Sequence, residues 1–154
     1  MMKIRLAKEP DIDALVEFNQ AMAFETEGKR LNEATLTAGV RAVFSKGDRG
    51  FYVVAEENGK ILGGLLVTRE WSDWRNAWFW WIQSVYVVPE ARGKGLYREL
   101  STFVWAMAAE AGDVCGIRLY VEKENRVAQA VYQRLGMHET EYLMYEQPSP
   151  NFGK

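Results

Sequence analysis

An aromatic and β-branched run from Ala77 to Val88 is halted by Pro89 and followed by Glu90-Ala91-Arg92-Gly93-Lys94-Gly95-Leu96-Tyr97. The run predicts a long, central strand. Apolar positions at Leu96, Leu100, Phe103, Val104, Met107 and Ala111 predict a helix directly after the glycines. A buried strand that feeds a helix through a short basic loop aims backbone amides and a positive helix end at one point, which suits a phosphate. Gly93 and Gly95 let the main chain approach such a ligand without a Cβ clash, and Arg92, Lys94 and Arg98 add positive charge. The plain alternative is a strand–helix turn with solvated basic residues. A P-loop would need Gly-x-x-x-x-Gly-Lys-Ser/Thr, which is absent, and the third glycine of a dinucleotide fingerprint is Arg98 here.

The rest of the chain alternates between the two periods. Lys3 to Ala7 reads as a strand, Ile12 to about Thr26 as a helix introduced by Pro10 and Asp11, and Glu33 to Phe44 as a second helix. Phe51 to Ala55 and Ile61 to Thr68 read as a hairpin turned by Asn58-Gly59, and Arg69 to Asn76 as a polar loop. After the glycine loop and its helix, Ile117 to Val121 is expected as a strand, Asn125 to Leu135 as a helix closed by Gly136, and Thr140 to Tyr145 as a last strand. The order is βααβββαβαβ.

Composition narrows the chemistry. A chain of 154 residues has room for one core, so residues 1–146 are expected as a single domain with 147–154 as a loose tail. A net charge of −2 argues against a general nucleic-acid or anionic-membrane partner. Cys115 and His138 are the sole members of their types, too few for a Cys/His zinc site, an internal disulfide or a convincing histidine-based triad. No metal is expected. With no long apolar stretch and no signal-peptide pattern visible at the N-terminus, the expected location is the cytoplasm.

Arg92-x-x-Gly95 after Val85-Tyr86-Val87, together with Asn125-x-x-Ala128-x-x-x-Tyr132-x-x-x-Gly136 about thirty residues on, resembles the GCN5-related N-acetyltransferase (GNAT) family over nearly the whole chain. The resemblance implies an α/β fold with a mixed, mostly antiparallel sheet of six to seven strands flanked by four helices. It implies direct transfer of acetyl from acetyl-CoA to a primary amine within a ternary complex. Arg92, Gly93, Lys94, Gly95, Leu96 and Tyr97 would hold the pyrophosphate through their backbone, and Val85, Tyr86 and Val87 would pair with the pantetheine arm. Asn125 would bond that arm or local backbone, and Tyr132 would stand near the sulfur as a proton donor. Two departures stand out: Tyr97 replaces the usual small residue, and Gln83 occupies a place where members that use a base often carry Glu. A base would then come from Glu25, Glu27, Glu70, Asp73 or Glu122, unless the amine arrives neutral.

The acceptor is a small-molecule or peptide amine on this reading, and the family also allows a homodimer. Glu25 and Glu27, at the end of the first helix, are candidates for one wall of its site. Five of the six tryptophans fall between Trp71 and Trp81. Strand alternation puts Trp78 and Trp80 on one face and Phe79 and Trp81 on the other. Trp71, Trp74 and Trp80, with Gln83, are the expected aromatic and polar lining, since amines bind well against indole faces. The readings set against this one are a CoA- or acyl-CoA-binding sensor module without turnover and a nicotinamide-dependent oxidoreductase.

Overall fold

A computed structural model describes residues 1–152. Among them the elements run β1 (Met2–Leu6), α1 (Ile12–Glu27), α2 (Glu33–Ser45), β2 (Phe51–Glu57), β3 (Lys60–Ser72), β4 (Ala77–Val87), α3 (Leu96–Ala111), β5 (Val114–Arg118) and α4 (Arg126–Arg134). The five strands form one sheet in chain order, antiparallel throughout except for the parallel pair β4–β5. Met1–Tyr120 makes one compact unit containing this sheet and α1 to α3; the second unit begins at Val121 and contains α4. None of the helices among the described residues is long and apolar enough to cross a membrane.

Alternation along the strands divides the buried residues of the first unit between the two faces of the sheet. Val53, Leu65, Val67, Trp80, Ile82, Leu100 and Val104 form a core under α3. Tyr52, Val54 and Tyr86 pack with Ile12, Leu15, Phe18 and Val40 under α1 and α2.

Three expectations are corrected. The six to seven strands become five, because Thr140–Tyr145 joins no ladder and Tyr142, Leu143, Met144 and Tyr145 are exposed. β-propensity expresses itself only against a partner that buries one face, and this segment has no strand partner among the described residues. The strand expected at Ile117–Val121 lies earlier, at Val114–Arg118, in register with Trp78 to Trp81. The polar loop expected at Arg69–Asn76 shrinks to a turn, because β3 continues to Ser72. Trp71 sits directly opposite Trp78, with the rings edge to face at 4.8 Å. That aromatic cross-strand pair holds the polar residues Arg69 and Glu70 in the ladder.

Asp11 occupies the N-cap of α1, but its side chain makes no capping hydrogen bond to that helix; its carboxylate turns back into the fold. Arg5 donates to both of its oxygens, at 2.8 and 3.1 Å, and the Lys8 amide donates at 2.7 Å. Arg5 also binds Glu56 at 2.6 Å, so β1, β2 and the entry to α1 share one charge cluster. The Arg5 hydrogen bonds hold the Asp11 carboxyl below its usual value despite burial. A depressed folded value means that the stabilisation is complete above the unfolded value, about 3.9, and is lost as pH falls through the folded one. Asp11→Asn is expected to cost about 1–3 kcal/mol at neutral pH and to flatten the acid limb of a stability–pH curve below about pH 4. Chemical denaturation at several pH values measures both effects, and an unchanged acid limb would remove Asp11 from the account.

Candidate active site

The site is organised by an interruption in β4. Ser84 takes φ +52, and the register with β3 jumps there, with Gln83 opposite Leu66 but Tyr86 opposite Gly64. An extra residue in a strand shifts side-chain parity by one. Gln83 and Tyr86 therefore share the α1-side face, while Val85 and Val87 pack toward the α3 core. Pairing with β5 stops just before this bulge, at Trp81 opposite Arg118. Among the described residues, β4 from Ile82 to Val87 has no ladder partner on that side. Its amides and carbonyls form an edge on which an extended, amide-bearing chain can lie like an added strand.

The glycine loop follows at the end of that edge. A short 3-10 turn, Pro89–Ala91, is succeeded by Gly93 at φ +77 and Gly95 at φ +79, and α3 opens at Leu96. Both glycines are left-handed, a conformation that side chains resist, and a Cβ at either would point into open space. The amides of a helix's first turn have no partners inside the helix, and the macrodipole adds partial positive charge at that end. Lys94 is exposed beside them. Leu96 is buried in the α3 core and fastens the loop to it, so it can serve a ligand only through its backbone. The Tyr97 ring packs against the same core, which answers how the loop accommodates an aromatic residue where a small one is usual.

The Arg92 side chain is held within the fold. Its Nε donates to the Val87 carbonyl at 2.8 Å, and its Nη2 pairs with Glu25 Oε1 at 2.8 Å. The guanidinium also lies 5.4 Å from the Tyr86 ring. Tyr86 donates its hydroxyl to Glu25 Oε2 at 2.6 Å. Glu25 thus ties the last turn of α1 to β4 and the loop. The Tyr86 and Arg92 hydrogen bonds hold the Glu25 carboxyl below its ordinary value, which makes it a weaker base. Glu27 stands apart from this cluster, exposed and 3.6 Å from Lys29.

The tryptophans take different places. Trp80 is 5% exposed, inside the α3-side core against Phe51. The edge it shows lines a cleft with Phe51, Arg69, Met107 and Glu110. Trp71 pairs with Trp78 on that same face, away from Gln83, and Trp74 is 86% exposed at the hairpin turn. The indole that shares a face with Gln83 is Trp81, whose Nε1 donates to Glu70 Oε1 at 2.8 Å and whose ring lies 6.2 Å from Tyr120. Gln83 donates its amide to Thr68 Oγ1 at 2.5 Å. Trp81, Thr68 and Arg118 are absent from the sequence-based site. Parity with Gln83 could have found Trp81; Arg118 depends on the parallel register of β5, for which the sequence carries no local signal.

In the second unit, Asn125 stands at the start of α4. Its Oδ1 accepts from the Ala128 amide at 3.1 Å and caps α4. Tyr132, on α4, is half-buried, and burial raises its phenol above the ordinary value, so it keeps its proton through neutral pH. Among the described residues no cluster of His, Cys, Asp and Glu could hold a metal ion.

Residues 12–137 match the Acetyltransferase (GNAT) family. The chain is 42% identical to a possible acetyltransferase from Clostridium difficile 630, whose crystal structure superposes with a TM-score of 0.90 over 97% of this chain and 98% of that one. It is 29% identical to the uncharacterized N-acetyltransferase YhfO of Bacillus subtilis (strain 168) over 139 residues, which are 90% of this chain and 91% of YhfO. At 21% identity the fold also matches a predicted acetyltransferase from Clostridium acetobutylicum solved with acetyl-CoA, with a TM-score of 0.78 and 96% of each chain covered.

Proposed function

The chain belongs to the acetyltransferase (GNAT) family, and from that premise we propose that it moves acetyl from acetyl-CoA directly to a primary amine within a ternary complex, residues 1–146 acting as one catalytic domain. The observation that carries this reading is the open edge of β4 running into the glycine loop. Such an edge suits the two amides of a pantetheine arm, and the left-handed glycines and helix end suit a pyrophosphate. The relative solved with acetyl-CoA supports the same donor. Acetyl-CoA supplies the activated thioester, and the chain's own groups do the rest.

Acyl transfer to an amine creates an oxyanion and then a thiolate, so a site needs a donor for each. A main-chain amide of Val85 to Val87 is the proposed oxyanion donor. Tyr132, whose phenol stays protonated, is the proposed source of a proton or hydrogen bond for sulfur. Gln83 cannot accept a proton, and Glu25 is held low by Tyr86 and Arg92. The amine is therefore proposed to enter already neutral. Acceptors reach this chemistry across the Gln83 and Trp81 face. Small-molecule or peptide amines fit that description, and a structurally similar Arabidopsis thaliana enzyme acetylates an amino sugar phosphate, glucosamine-6-phosphate.

Two measurements test the reading. Titration calorimetry should show acetyl-CoA binding, and free-thiol release should depend on added amine. With a neutral-amine requirement, kcat/KM for the acceptor should rise tenfold per pH unit until the acceptor's own amine pKa is reached. Tight CoA binding with no amine-dependent release would identify a CoA-binding module instead. A plateau set well below the amine pKa would point to a protein base.

A further inference from the structure

Resting on the acetyltransferase reading, the α1-side face of the sheet also says what else the acceptor carries besides its amine. Two cross-strand rows continue this face away from the bulge. Thr68, Trp81 and Arg118 lie side by side in the first, and Glu70, Phe79 and Gly116 in the second. At about 3.3 Å per residue, these rows stand roughly 7 and 13 Å along β4 from Gln83. They form a floor for the body of a molecule whose amine reaches the bulge.

The charges on this floor are fixed unevenly. Arg118 lies 3.5 Å from the centre of the Phe79 ring and is 25% exposed. Its Nη1 pairs with Glu70 Oε1 at 3.1 Å, the same oxygen that accepts from Trp81. A second cation, Arg75, stands 5.0 Å from the Phe79 ring. Two guanidinium groups thus face one carboxylate, and that carboxylate is already bound by Arg118 and Trp81. Glu25, also on this face, is occupied by Tyr86 and Arg92. A polycationic amine would find its charges opposed here. A guanidinium held over an aromatic ring still presents donors to a carboxylate or phosphate, with much of the ordering completed in advance.

We propose that the physiological acceptor is an amine bearing an anionic group, carboxylate or phosphate, that docks at Arg118 with Trp81 as its aromatic floor. Arg118 acts in specificity and not in the acetyl-transfer step itself.

The test compares acceptors that differ only at the far end: phenethylamine, para-carboxyphenethylamine and para-(aminomethyl)phenethylamine, then tyramine against its phosphate ester. In the wild-type protein, kcat/KM for the anionic members should exceed that of their neutral parents by about tenfold or more, with the dicationic member poorest. The two ester and carboxylate arms tell which anion is preferred. Arg118→Gln should collapse the anionic-to-neutral ratio toward one, and Arg118→Lys should restore part of it. Glu70→Gln keeps an oxygen for Trp81 but removes the competing charge, so it should raise the ratio. Opposite shifts from the two variants cannot come from general damage to the face, which would lower both. Acetyl-CoA affinity, measured by calorimetry, serves as the folding control. Failure to bind acetyl-CoA, or no release with any amine, overturns the acetyltransferase reading and this inference with it. Turnover of phenethylamine without preference for the anionic members, or variants that shift the ratio in the same direction, overturns the inference alone.

Discussion

Tyr132→Phe is expected to lower kcat about 100-fold while acetyl-CoA affinity changes less than about threefold. The substitution removes one hydroxyl and keeps the half-buried ring. Because burial raises the phenol above its usual value, the group is a donor throughout the neutral range and never a competing anion. A donor to a departing thiolate matters only as the carbon–sulfur bond breaks, so its loss should appear in kcat and not in ground-state binding. Stopped-flow or steady-state thiol release, paired with calorimetry, separates the two. A softer leaving thiol in the acyl donor should recover part of the loss. Equal rates for the wild-type protein and the Tyr132→Phe variant would take the phenol out of the mechanism.

The largest stability effect is expected at Gly50. This residue has φ +137 and leads into β2, whose first residue Phe51 pairs with Val67. A Cβ at Gly50 would collide with the Val67 carbonyl oxygen, which belongs to the ladder and cannot swing aside as a side chain would. Gly50→Ala combines that overlap with a backbone conformation that side chains resist, for a loss of about 3–5 kcal/mol and a Tm lower by roughly 10 °C. Gly47→Ala, three residues away, is the control, because nothing lies within 4 Å of its added carbon. Thermal and denaturant unfolding of both proteins decides the matter. A Gly50→Ala protein as stable as its control would mean that the β2–β3 junction relaxes at little cost.

The parts of the architecture that the sequence made legible are those set by neighbouring residues. The helix after Pro10, the Asn58-Gly59 hairpin and the strand–glycine–helix passage at residues 77–97 all carry their signals within a few positions, and all are present. Strand alternation also placed Trp78 and Trp80 together correctly. What was not legible depended on partners distant in the chain. Residues 69–72 look like loop until Trp71 finds Trp78. Thr140–Tyr145 has the composition of a strand and joins no ladder among the described residues. The tie between the Arg92 guanidinium and Glu25, 67 residues earlier, has no local signal at all. That Trp81 and not Trp80 shares a face with Gln83 was legible locally, since Gln83 and Trp81 have the same parity on β4.

The strand edge left open by the bulge also bears on how the protein behaves before it meets its donor. Unpaired edges recruit strands from other molecules, and Gln83-Ser84-Val85-Tyr86-Val87 contains neither lysine nor proline to discourage this. Only the kink at Ser84 interrupts it. A donor bound along that edge would cover it and, at a hundred times its Kd, add about 2.7 kcal/mol to folding stability. Empty protein is therefore expected to aggregate on heating more readily than protein saturated with acetyl-CoA, which light scattering during a thermal ramp measures.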